Sequence, residues 1–223
     1  MPKSLNNTNT NNRILIAALF FVLSCGAHAA GEIETQGNRF YGRIIVEWVD
    51  DPFVPLLRVM EDFVFFQSDG TVWKTPAGAI VAGRSIPPLF VQLKGHPFES
   101  GFRKTAITYD YAVTARKHPW RDADRMFYEG AVAEGVLPVE AKVMYLLLYA
   151  TGPRWAVSGT RDCHGRCHRR DEDLAWSPQV DHAQVLSLVS WIHAEDPSLD
   201  TIEESVDKVI LQAGPHVIGP FKQ

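Results

Sequence analysis

The chain has 223 residues, 22 Lys and Arg against 26 Asp and Glu, a formal charge of −4 and 46% apolar side chains. This is a globular balance, with enough apolar surface for a core and too little net charge for an extended polyelectrolyte. It also lacks the basic excess that nucleic acid or an anionic membrane surface would require: the pair Arg169-Arg170 is followed at once by Asp171-Glu172-Asp173.

The first residues read as an export signal. Met1 to Arg13 is polar and carries Lys3 and Arg13 with no acidic side chain, and Ile14 to Cys25 is an apolar run. Ala27-His28-Ala29 then places small residues where a signal peptidase reads. The expected boundaries are a signal peptide over 1–29, a domain over 30–156 and a C-terminal extension over 157–223. A retained anchor and lipid attachment at Cys25 are the competing readings, although Leu23 is bulky for a lipid-attachment box. Cleavage leaves 194 residues, enough for one well-cored domain, and no integral membrane span. It removes two of the 22 basic side chains and none of the 26 acidic ones, so the formal charge falls from −4 to −6. The expected location is periplasmic or secreted.

Strand signals follow. Arg39 to Val49 is β-branched and aromatic, with Gly42 marking a bulge or close packing. Val54–Val59, Phe63–Phe66 and Thr71–Lys74 continue the pattern, and Ser68-Asp69-Gly70 is a hairpin turn between the last two. The aromatics here, Trp48 and Trp73 included, are expected in the core, with ligand stacking as the alternative.

Helical spacing takes over after Gly101. Phe102, Ala106, Tyr109 and Val113 predict a helix over 101–117, closed by His118-Pro119. A second runs over 121–133 and stops at Gly135; a third starts at Pro138 and ends at Thr151-Gly152-Pro153. Asp110 and Asp124 each fall one residue from a buried stripe, where a carboxylate reads as a cap or a solvated flank, or points into an interhelical groove. Near the C-terminus Asp181 caps one helix, and Asp200-Thr201-Ile202-Glu203 reads as a capping box opening another. These two helices either dock on the core or bind a partner, docking being the commoner outcome. The fold class is α+β: a small antiparallel sheet followed by a helical cluster, plus a helical C-terminal extension.

The stretch from Pro76 to Tyr111 sits between the two halves and holds Gly78, Gly83-Arg84-Ser85-Ile86-Pro87 and Tyr109-Asp110-Tyr111. With Trp73, Trp120, Arg125-Met126-Phe127-Tyr128, Met144-Tyr145 and Gly152-Pro153-Arg154-Trp155 it resembles the bacterial and phage domain-of-unknown-function family 1353. The resemblance runs from Asp62 to Trp155 and implies a place for a polar site rather than a reaction. Its polar motifs are altered. The family's Asp-Gly-Ala-Ser-Ile-Pro has Ala82 at the aspartate and Arg84 at the alanine, and its His-Asp has Tyr109 at the histidine. Ala82 neither coordinates nor titrates, and a tyrosine of pKa about 10 is a poor base at neutral pH. Ser85, Asp110 and Asp124 remain as catalytic candidates, with Arg84, Tyr109 and Arg125 as binding residues. Ser85 lacks the nucleophile-elbow glycines and its nearest histidines, His96 and His118, lie in loops, so a Ser/His/Asp triad fails. No phosphate-cradling or dinucleotide glycine loop is present.

The sharpest local signal is Cys163-His164-Gly165-Arg166-Cys167-His168. A Cys163–Cys167 disulfide in an oxidising compartment is the plainest reading. Zinc held by Cys163, His164, Cys167 and His168 is the second, and covalent haem, one residue too widely spaced, the third. No cofactor is assigned. The leading expectation is a non-catalytic cell-envelope binding or accessory protein for an unknown envelope partner or small ligand. An envelope hydrolase using Asp110 and Asp124, with or without a metal, is the alternative.

Overall fold

The computed structural model describes residues 37–52, 56–155 and 177–213. Two three-stranded antiparallel sheets form the first half. One has the order β1 (Arg39–Tyr41), β4 (Phe63–Phe66), β5 (Val72–Thr75); the other has β2 (Val46–Val49), β3 (Leu56–Val59), β6 (Ile80–Val81). The β4–β5 hairpin turns where Asp69-Gly70 requires it. Gly70 adopts φ 89°, its N–H donates to Gln67 O at 3.0 Å, and Phe66 pairs with Val72.

The single strand expected over Arg39–Val49 is two strands in different sheets. The break falls at Gly42, whose φ is 92° and whose Cα lies so close to β4 that a Cβ would stand 2.9 Å from Asp62 O. The glycine lets the chain cross from one sheet to the other. β6 and the short helix α1 (Pro88–Lys94) are also additions to the sequence reading.

The aromatic expectation divides. Phe63, Phe65 and Trp73 are buried, but Trp48 is 73% exposed. Trp48 pairs with Leu57 on edge strand β2. Helix α2 (Arg103–Ala115) packs on β5 and β6, and β6 is the opposite edge of that sheet, so α2 leaves Trp48 uncovered.

The second half is helical. α2 ends at Ala115, two residues short of the expected end, and the left-handed φ of 50° at Arg116 turns the chain before His118-Pro119. α3 (Trp120–Ala133) stops before Gly135 at φ 94°, and α4 (Pro138–Thr151) starts at its proline. α4 is buried continuously from Val143 to Ala150 because α1, α3, α5 (His182–Glu195) and α6 (Leu199–Ala213) pack around it. α5 is capped by Asp181, whose carboxylate accepts from Ala183 N–H at 2.9 Å. α6 has no capping box at Asp200–Glu203: the Ser198 hydroxyl accepts from Thr201 N–H at 3.2 Å, and Asp200 and Glu203 turn to α3. Both helices dock, burying Val185 and Ile192 of α5 and Ile202 and Val206 of α6. Among the described residues no helix is long and apolar enough to cross a membrane.

Candidate functional site

The Gly83 loop and helix α2 meet at Asp110. Its Oδ2 accepts from Ala82 N–H at 2.8 Å and Gly83 N–H at 3.2 Å, and its Oδ1 accepts from Ser85 N–H at 3.1 Å. The loop can wrap the carboxylate because Gly83 takes φ 69°, and a Cβ there would press on the Phe98 ring at 3.3 Å. Asp110 is therefore not a solvated flank; it is 4% exposed and ties the loop to α2. Ala82 and Ser85 take part through their backbone amides, whatever their side chains. Arg84, between them, is exposed.

One residue earlier on α2, Tyr109 points the other way. Its hydroxyl donates to Asp124 Oδ1 of α3 at 2.9 Å, and both residues are fully enclosed. Burial pushes the Tyr109 hydroxyl up, and the Asp124 charge adds to that shift. Burial likewise raises the Asp124 carboxyl well above the usual carboxylate range, although the Tyr109 hydrogen bond and the Arg154 charge pull it down. Asp124, like Asp110, lies inside rather than on a flank.

The sign for stability follows from linkage. Between the ordinary and the raised pKa the folded chain holds a proton at Asp124 that the unfolded chain has released, so stability falls as pH rises through that interval. Asp124→Asn keeps the shape and an acceptor for Tyr109 without the ionisation. Chemical denaturation from pH 4 to 9 should show a flatter stability profile for the variant, with its advantage growing towards alkaline pH. Parallel profiles would contradict a raised Asp124 carboxyl.

Arg125 pairs with neither aspartate. Its guanidinium binds Asp200 and Glu203 of α6, Nε reaching Glu203 Oε1 at 2.9 Å. Tyr145 of α4 donates to the same Glu203 oxygen at 2.6 Å, and Tyr149 OH lies 3.2 Å from Asp207 Oδ1. Arg121 Nε donates to Tyr149 OH at 3.3 Å. Arg121 and Arg154 each set a guanidinium 4.4 Å from the centre of the Trp120 ring. The sequence reading singled out Arg125 and placed Glu203 in a capping box, but missed Arg121, Tyr149 and Asp207. Tyr145 and Arg154 belonged to the motifs that carried the resemblance, which was the available signal.

Elsewhere a cleft of about 150 Å³ lies between β5 and the end of α2, where the Trp73 and His118 rings lie tilted with centroids 4.3 Å apart. Among the described residues no three His, Cys, Asp or Glu side chains are grouped to hold a metal ion. Cys163, His164, Cys167 and His168 lie outside the described residues, as does the expected signal peptide.

Residues 57–148, from β3 to the last turns of α4, match the model of a family described as protein of unknown function (DUF1353). Over these residues the chain is similar to the DUF1353 family. The matched span holds Ser85, Tyr109, Asp110, Asp124, Arg125 and Tyr145, and stops before α5 and α6. Two relatives come from Sinorhizobium fredii (strain NBRC 101917 / NGR234). The uncharacterized protein y4jT is 33% identical over 131 residues, 57% of this chain and 39% of y4jT. The uncharacterized protein y4iH is 33% identical over 154 residues, 67% of this chain and 64% of y4iH. The chain thus spans less than two thirds of either relative. No solved structure matches it significantly.

Proposed function

We propose that this protein is an exported, non-catalytic binding or accessory domain of the cell envelope. The observation that carries this reading is the inward commitment of both candidate carboxylates. Asp110 spends its two oxygens on three backbone amides, and Asp124 is enclosed against Tyr109. General acid–base catalysis needs a group within hydrogen-bond reach of a substrate. The export signal read over residues 1–29 supports the envelope location.

One observation favours hydrolysis as a second reading. Burial raises the Asp124 carboxyl above the usual carboxylate range, beside Tyr109, and perturbed carboxyls of this kind gather at active sites. Incubating the purified chain with isolated cell-wall sacculi separates the two. The binding reading expects protein to pellet with the sacculi and no soluble fragments to appear. Fragment release that disappears in Asp124→Asn would overturn it in favour of the hydrolase.

A further inference from the structure

We infer that the surface beneath α6 is a two-seat carboxylate site built by α3 and α4, and that Glu203 and Asp207 occupy it as an internal stand-in for a small di- or tricarboxylate ligand. The inference deepens the binding reading above and rests on it.

Three helices carry the seats in register. Arg121 and Arg125 stand four residues apart on α3, and Tyr145 and Tyr149 four apart on α4. Glu203 and Asp207 have the same spacing on α6. Side chains at i and i+4 lie on one face, about 5–6 Å apart between Cβ atoms. Glu203 fills the first seat, between Arg125 and Tyr145, and Asp200 lies on the outer side of the same guanidinium. Asp207 fills the second, at the Tyr149 hydroxyl that also accepts from Arg121. The first seat offers its carboxylate a guanidinium and a phenol, and the second offers a phenol whose oxygen is itself held by the Arg121 guanidinium.

The seats and their occupant differ in origin. Arg121, Arg125 and Tyr145 lie inside the matched family span and Tyr149 one residue past it, whereas α6 lies wholly outside. Nor do the carboxylates fit a purely fastening role. Ile202 and Val206 already bury α6 against the core, and a half-buried ion pair holds a helix no better than apolar side chains of similar size.

Citrate serves as the probe, with inorganic phosphate as a single-anion control and sodium chloride matching ionic strength. In the unaltered chain, citrate at millimolar concentration should accelerate amide hydrogen exchange across residues 199–210 at least fivefold, and phosphate should do much less. In calorimetry the full-length Glu203→Gln/Asp207→Asn variant should bind citrate at least tenfold tighter than the parent, and adding Arg125→Gln should abolish the gain. Unchanged exchange in the parent would overturn the inference even if the variant failed to fold. So would a folded variant with no gain, or phosphate acting as strongly as citrate. Fragment release from sacculi would instead end the binding reading, a separate result from α6 exchange that citrate leaves unmoved.

Discussion

Replacing Asp110 with alanine should destabilise the protein by about 3–5 kcal/mol and lower its melting temperature by roughly 10 °C. The change removes one carboxylate and strands three amide donors, those of Ala82, Gly83 and Ser85. A donor left buried without a partner loses about 1–3 kcal/mol, and some solvent reaches this half-buried loop, which keeps the sum below three full penalties. Asp110→Asn should fall between parent and alanine: its carbonyl keeps one set of acceptors while its amide group faces another donor. Urea denaturation of the three proteins measures the series. A loss under about 1 kcal/mol for alanine would mean that Asp110 is not what holds the Gly83 loop. Faster exchange at the 82–85 amides in Asp110→Ala than in the parent would locate the damage.

The order of sheet then helices was legible because its signals are local. Asp69-Gly70, Gly135, Pro138 and Asp181 each act within a few residues, and each appears where the sequence places it. What was not legible depends on partners far along the chain. Arg125 meets Glu203 across 78 residues, and the capping box read over Asp200–Glu203 fails because α6 already starts at Leu199, with Ser198 taking the first-turn amide. Asp110 was visible as a candidate, but its partners are backbone amides, which carry no sequence signature. Trp48 has the composition of a core residue; its exposure follows from which edge of its sheet α2 covers. The substitution at Ala82 weighs less than the sequence implied, because the position contributes an N–H rather than a side chain.

Truncating Phe127 to alanine should cost about 3–5 kcal/mol, the range for a buried phenylalanine. Phe127 is fully enclosed on α3, where three rings converge on it: Phe90 of α1 at 5.6 Å, Phe102 before α2 at 5.8 Å, and Tyr109 edge-on at 5.4 Å. The last contact connects packing to the polar site. The Tyr109 ring lies against Phe127 while its hydroxyl holds Asp124, so the alanine variant leaves a cavity and frees the tyrosine that satisfies a buried carboxyl. Phe127→Leu, which fills most of the space, should recover more than half of the lost stability. If both substitutions were equally damaging, shape rather than volume would govern the cluster. Because Tyr109 adjoins Asp110 on α2, Phe127→Ala and Asp110→Ala should not add in a double variant. A combined loss equal to the sum of the two, within about 0.5 kcal/mol, would mean that the aromatic cluster and the Gly83 loop respond independently, and that α2 does not couple them.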